Sequence, residues 1–458
     1  MTTLILLSLL GVVVLAEGIL KKKSWHLPTI CVGLLIAFIS TIAAWNSNIH
    51  FYNEMLIVDN FAVAFTALLI FITFLIFMFA GTYYAAVHRP LDDIYAIMIF
   101  ALAGCVMMTS FGNLIMLFLG IETLSISLYV LAGSHKEAIT SNEATLKYFL
   151  LGSFLSCFLL FGIVLVYTGS GSFNLATIAQ YSATNSKHLS PLFQTGLFLM
   201  ITGMAFKIAI FPFHFWAPDV YEGTPTLLTA FMATVVKIAS IIALYRLFTG
   251  CFPAIHERWE TLLWVMAVCT IIIGNFTGLY QQGIKRMLAY SSISHSGYML
   301  LAILAFNART ANALLYYSAA YAIASVTAFG ILIMIRGEKG NDRFFNVEGM
   351  AKNNPLEALC FTIAMFSLTG IPPLAGFMGK YYLFMATIER GYIWLVVVAM
   401  IGSAVSVGYY FRPVIAMYLK EGSGENFSTT MAYKMTIIFL SLLTIVLGIL
   451  PFLMTNLL

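Results

Sequence analysis

The sequence predicts an all-α polytopic membrane protein of fourteen transmembrane helices, and three observations carry that reading. The first is composition. Of 458 residues, 61% are hydrophobic and only 9% are charged, and the mean hydropathy is +0.94. A soluble domain carries about 25% charged residues, so the solvent of this chain is lipid. The second is spacing: apolar runs of about 20 residues, the length of a helix that crosses a bilayer, recur along the whole chain. The third is that two of these runs are interrupted, at Pro212 and at Pro372–Pro373. A broken helix at membrane depth persists only where its freed backbone faces protein or a water-filled cavity. Paired Gly/Pro interruptions in corresponding halves are the mark of an inverted-repeat transport fold.

Taken in order, the spans fall at residues 2–20, 28–45, 58–84, 92–109, 113–133, 145–168, 191–212, 225–249, 261–280, 287–306, 310–335, 356–387, 391–418 and 431–456. The first has no basic stretch ahead of it, and Lys21, Lys22 and Lys23 follow it, so it reads as a retained helix and not a signal peptide. Odd-numbered loops hold thirteen Lys and Arg against four in even-numbered loops. That bias makes the odd loops cytoplasmic and puts both termini on the outer, periplasmic side of a cell inner membrane. The net charge of +4 is scattered over short loops and spans and forms no nucleic-acid patch. The loop at 169–190 is polar and has room for a short surface helix. The loop at 336–355 is the most charged; contact with soluble partners and a plain solvated connector are both open for it.

The interrupted spans are the seventh and the twelfth, five apart, and an odd offset inverts orientation. The division this predicts is an N-terminal three-helix segment (1–91), a first repeat of spans 4–8 (92–249), a second inverted repeat of spans 9–13 (250–418) and a C-terminal helix 14 (419–458). The six cysteines (Cys31, Cys105, Cys157, Cys251, Cys269 and Cys360) form no CxxC pair, which leaves no case for an iron–sulfur centre, a zinc site or a disulfide framework. No phosphate-binding glycine motif is present either. The chain is expected to hold no redox centre, metal or nucleotide of its own.

The candidate chemistry lies in ionisable groups inside the spans, where one charge at the bilayer centre costs about 2.5–3.5 kcal/mol on the mildest scale. Glu122 sits in the middle of the fifth span. Lys207 precedes the break at Pro212, Lys237 is centred in the eighth span, and Lys380 follows the break at Pro373. His295 lies among Ser and Tyr in the tenth span, where a structural histidine and a proton relay are both open readings. Lys147 precedes a long apolar run; it either joins the same set or snorkels to the interface. Arg246 and Arg412, near span ends, read as anchors, whereas His214, Asp219 and Glu222 shape the turn after the first break or line an inner entry. A lysine that is desolvated gives up its proton far more readily than one in water, and a neighbouring carboxylate restores its charge. A row of such groups joined by water passes protons.

The stretch PFHFWAPDVYEGTPTLLTAFMATVVKIA, from Pro212 to Ala239, together with Glu122 and Lys207, resembles the antiporter-like subunits of respiratory complex I, NADH:quinone oxidoreductase. The resemblance covers essentially all fourteen spans. It is nearest to the subunit N branch: no long lateral helix follows the last span, and Lys380 stands where the subunit M branch has a glutamate. The resemblance implies a proton-pumping membrane subunit of a translocase. Electrons would pass through FMN and iron–sulfur clusters in partner subunits to a quinone, with no cofactor in this chain. Its partners would be the other membrane-arm subunits, antiporter-like and small, within the lipid bilayer. Glu122 and Lys207 would form the family's charge pair, and Lys237, His295 and Lys380 would continue the path outward; Lys147 is the less firm member. A subunit of a multisubunit cation/proton antiporter or a membrane-bound hydrogenase, a stand-alone secondary transporter, and a purely structural membrane-arm subunit are the alternatives.

Overall fold

In lipid the backbone must satisfy its own hydrogen bonds, so these apolar runs have little choice but to coil. The computed structural model describes residues 1–20, 25–84, 91–339, 341–422, 429–455 and 457–458. Lys21, Lys22, Lys23 and Arg89, which contributed to the orientation count, lie outside the described residues.

The chain opens with α1 (Thr2–Ile19) and α2 (His26–Ile42), then a small hairpin of β1 (Ile49–Phe51) and β2 (Leu56–Val58), paired antiparallel with His50 opposite Ile57. Next come α3 (Asn60–Tyr83), α4 (Asp92–Ser110), α5 (Leu114–Ala132), α6 (Ile139–Ser170), the short α7 (Leu175–Thr184) and α8 (Pro191–Lys207). After the first break follow α9 (Trp216–Gly223), α10 (Thr226–Phe231), a π-helical turn (Met232–Val236) and α11 (Lys237–Cys251). Then come α12 (His256–Leu279), α13 (Ile284–Ala305), α14 (Thr310–Lys339), the one-turn α15 (Met350–Asn353) and α16 (Pro355–Thr369). The second break separates α16 from α17 (Ala375–Glu389); α18 (Ile393–Leu419), α19 (Met431–Ile449) and α20 (Phe452–Thr455) complete the chain. Among the described residues, eleven helical segments are long and apolar enough to cross a membrane.

Polar residues at the helix starts show why the boundaries fall where they do. Asn113 accepts from the Ile115 amide ahead of α5, and Asn174 from Ala176 ahead of α7. Ser190 accepts from Phe193 ahead of α8, whose first residue is Pro191. Each occupies an amide that the helix itself leaves unpaired. The expected short helix in the 169–190 loop is α7.

Packing groups the chain into two compact units. One comprises Met1–Phe71, Arg89–Trp216 and Val235–Met266; the other comprises Ile72–His88, Ala217–Thr234 and Ala267–Leu458. In the first unit α4 packs on α1, α5 and α11, and α6 packs along α8. The α6–α8 crossing is close because Gly162 and Gly196 face each other; a Cβ on either would come within 2.7 Å of the other's carbonyl oxygen. In the second unit α14 is packed by α13, α16, α17 and α19.

Both breaks are built alike. At the first, Ala209 takes a left-handed conformation (φ +55°), its amide bonds Phe206 O and the next amide bonds Ala205 O. At the second, Gly370 (φ +91°) bonds Ser367 O and the next amide bonds Phe366 O. This is the Schellman ending, which returns two late carbonyls to hydrogen bonding and turns the chain out of the helix. In each case a cis-bonded proline, Pro212 or Pro373, stands three residues further on.

Two cations, one of them buried, pin the segment after the first break. Lys285, one of the thirteen cations that sequence spacing assigns to odd-numbered loops, is instead the second residue of α13 and fully buried. Its ammonium donates to the carbonyls of Glu222 (3.1 Å) and Thr224 at the end of α9. Arg286 pairs with Asp219 at 2.9 Å and Glu222 at 2.5 Å. Cations at a helix C-terminus meet its negative dipole end, so Asp219 and Glu222 serve to dock α9. Arg246 does more than anchor a span end: it is buried, pairs with Asp59 at 2.9 Å and donates to the carbonyls of Phe111 and Thr109.

Candidate functional site

In the first unit, Glu122, Ser125 and Tyr129 are three and seven residues apart, one above the other on a face of α5. Lys207, in the last turn of α8, meets that face: its Nζ donates to Ser125 Oγ at 2.6 Å and lies 5.6 Å from the Tyr129 ring centre. Glu122 lies one turn before Ser125 on the same helix, and no direct ion pair joins it to Lys207 among the described residues. The carboxylate oxygen Oε1 is buried and without a hydrogen-bond partner there. Glu122, of intermediate burial, also borders a second stripe of α5, formed by Ile115, Leu119, Ile126 and Val130, that is exposed on this chain. It therefore stands at the edge between the lysine-facing and outward-facing sides. Lys207 is thus held by the Ser125 hydroxyl, which itself donates to the Ile121 carbonyl, and Ser125 is the member that sequence position could not flag.

Lys237 is 1% exposed and follows directly on the π-helical turn. Such turns recur at functional sites because the extra residue loosens the ladder of backbone bonds. Lys147 stands apart from this set. Its side chain is 41% exposed and pairs with Glu143, one turn earlier on α6, at 2.7 Å.

In the second unit, His295 is held at both ring nitrogens: Nδ1 is 2.6 Å from the Tyr317 hydroxyl and Nε2 is 3.1 Å from that of Tyr410. Tyr410 also bonds Ser291. An imidazole with a hydroxyl on each side can take a proton at one nitrogen and give one up at the other. Lys380 reaches back across the second break. Its Nζ donates to the carbonyls of Leu368 (3.1 Å) and Thr369 (2.6 Å) and to Ser403 Oγ (2.8 Å). The Schellman ending uses the Phe366 and Ser367 carbonyls, so the lysine takes the two that come next. Gly370 suits this by its left-handed backbone (φ +91°), and a Cβ there would crowd the Lys380 side chain at 3.0 Å. Lys380 Nζ also sits 5.3 Å from the Tyr298 ring centre, a favourable place for a cation.

The structure thus turns Lys207 onto the Ser125–Tyr129 face of α5, and surrounds His295 and Lys380 with hydroxyls and carbonyls that one sequence cannot reveal. No group of His, Cys, Asp and Glu suited to a metal ion occurs among the described residues.

Residues 112–406 match the family described as NADH:quinone oxidoreductase/Mrp antiporter, TM. The NADH-quinone oxidoreductase subunit N of Flavobacterium johnsoniae is 41% identical over 466 residues, covering 100% of both chains. That of Flavobacterium psychrophilum is 40% identical over 451 residues, 98% of each. Among solved structures, a chain of respiratory complex I from Thermus thermophilus with bound aureothin is 31% identical, with a TM-score of 0.85 over 99% of this chain and 98% of that one. Matched along most of its length and aligned end to end with these relatives, the chain belongs to the NADH:quinone oxidoreductase/Mrp antiporter family, in the branch of NADH-quinone oxidoreductase subunit N.

Proposed function

We propose that protons cross this subunit of NADH:quinone oxidoreductase by way of Glu122, Lys207, Lys237, His295 and Lys380. The chain itself is a proton-translocating membrane subunit with other antiporter-like and membrane-arm subunits as partners. The observation that carries the residue assignment is burial. Lys207, Lys237, His295 and Lys380 are 6%, 1%, 3% and 5% exposed inside apolar helices. Charges so placed are expensive, and the docking of one segment to another already falls to other buried cations, Lys285 on α9 and Arg246 on Asp59. In this reading Glu122 sets the charge on Lys207, Lys237 and His295 pass the proton on, and Lys380 releases it on the outer side. Lys147, half-exposed and paired with Glu143, is left off the path.

The same reading takes the membrane topology as fourteen spans, counting α2, α8 and the α16–α17 pair alongside the eleven longer segments. Both termini face the outer side of the cell inner membrane. Spans 4–8 (92–249) and 9–13 (250–418) form inverted repeats, supported by the matching Schellman endings and the equal spacing to Pro212 and Pro373. FMN, iron–sulfur clusters and the quinone site belong to partner subunits, and this chain's part is protonic.

The test is Lys237→Met in the assembled complex. NADH-driven proton uptake by vesicles, normalised to complex content, is expected to fall to a small fraction of wild type. Wild-type uptake in that variant would remove the lysine row from the mechanism.

A further inference from the structure

Between His295 and Lys380 the second unit carries a side chain that no charge-based reading singles out. Asn275, on α12, is completely buried, and both its Nδ2 and its Oδ1 are hydrogen-bonded. Nδ2 donates to the Ile271 carbonyl at 2.8 Å and to the Tyr298 hydroxyl at 3.1 Å, while Oδ1 accepts from the Tyr409 hydroxyl at 3.0 Å. The Ile271 carbonyl can only accept, which fixes the amide orientation: the nitrogen faces Ile271 and Tyr298, the oxygen Tyr409. The surrounding phenols divide into two groups. Tyr410 bonds His295, and its ring lies 4.4 Å from that of Tyr409. Tyr298 lies under the Lys380 ammonium. Asn275 is the hydrogen-bonded link from the Tyr409–Tyr410 group to Tyr298.

We propose that Asn275 is a positioning residue that insulates the proton site at His295 from the release site at Lys380, by joining their phenols through an amide that does not conduct protons. Hydroxyls and imidazoles relay a proton by accepting one and donating another. A neutral carboxamide donates and accepts hydrogen bonds but does not exchange its protons on that route. The bond pattern also sets polarity. Tyr409 commits its proton to Oδ1, and Tyr298 receives one from Nδ2, so the Tyr298 proton points away from the amide. A pump needs such a barrier, because an unbroken wire between loading and release sites lets the gradient run back. Transfer past Asn275 then waits on a rearrangement or an added water. This inference rests on the proposed proton path and deepens it.

The experiment measures passive proton leak in vesicles carrying the whole complex, under an imposed pH gradient and without NADH. Asn275→Asp supplies a carboxyl that relays, and Asn275→Ser supplies a neutral hydroxyl with room for a water. Both are expected to leak severalfold faster than wild type. Asn275→Leu keeps the bulk without any relay and is expected to stay tight. Tight vesicles with Asn275→Ser overturn the proposal, and this variant decides alone if Asn275→Asp does not assemble. An equal leak in Asn275→Leu also overturns it, since packing damage is then all that is read. Lys380→Met is measured in parallel for NADH-driven uptake. Normal uptake there takes down the proton path itself, whereas lost uptake there with tight Asn275→Ser vesicles takes down only the insulator.

Discussion

The two broken spans each present a buried lysine, and the two are held in different ways. Lys207 belongs to the helix that ends at its break, and its ammonium turns to a neighbouring helix, to Ser125, one turn after Glu122. Lys380 belongs to the helix that starts after its break, and its ammonium turns back to the two carbonyls at the end of α16. The acid on the lysine-facing helix is a side chain, Glu122, partly buried at the edge of this chain, and side chains move or change protonation. The field on Lys380 comes from backbone dipoles fixed by the Schellman ending, supplemented by Ser403. On the proposed path that difference would give the lysines different work: Lys207 would answer to a partner that can be altered, whereas Lys380 would hold its proton in a constant field until something else displaced it.

The largest expected effect follows from the first half of that contrast. Lys207→Ala removes the ammonium from Ser125 and Glu122 together and is expected to abolish most NADH-driven proton uptake at normal assembly. Glu122→Gln acts through the same lysine, so the double variant should lose no more than Lys207→Ala alone. Groups that work as a unit are non-additive in this way. Losses that simply add would mean that Glu122 serves some other site.

How much of this was legible beforehand depended on what one chain position can say. Position along an apolar run gives depth, and depth was enough to find Lys207, Lys237, His295 and Lys380 as buried groups and to place both breaks at their prolines. Position does not give the direction a side chain faces. Ser125, Ser403, Tyr410 and Asn275 look like any polar residue of a span until the helices opposite are known. Lys285 was misplaced for the same reason in reverse: near a span end it looked solvated, but α9 ends on top of it. The π-helical turn before Lys237 gives no sequence signal, because an extra residue in one turn leaves the apolar run unbroken. Ala209 is a similar case, since a left-handed helix end is expected at Gly and alanine conceals it.

The second half of the contrast is sharpened by Lys380→Arg. A guanidinium has enough donors for the Leu368 and Thr369 carbonyls and for Ser403, so the break should stay anchored and the complex assembled. Arginine stays charged at any accessible pH, whereas lysine can release its proton in dry surroundings. Uptake is therefore expected to drop severalfold, less completely than with Lys207→Ala. Wild-type uptake would make Lys380 a clamp for the break and not a release site.

The smallest effect is expected at Lys147, which tests whether a lysine in a span must lie on the path. At 32 residues α6 is about 48 Å long at 1.5 Å per residue, well beyond a hydrocarbon core of about 30 Å. Lys147 lies in the third turn, where part of that excess length falls. Its partner Glu143 comes one turn earlier, the favourable order for a helical pair worth about 0.3–0.5 kcal/mol when solvated. With 41% of its side chain exposed on this chain, Lys147 lacks the enclosure that makes the other lysines responsive to a neighbour's charge. Lys147→Met should leave uptake within error of wild type and shift the stability of the complex by no more than that pair. Charge reversal as the double swap Glu143→Lys with Lys147→Glu should be tolerated as well, since the pair is local to α6. A clear loss of uptake in Lys147→Met, at normal assembly, would put Lys147 back on the path and end the distinction between enclosed and half-exposed lysines.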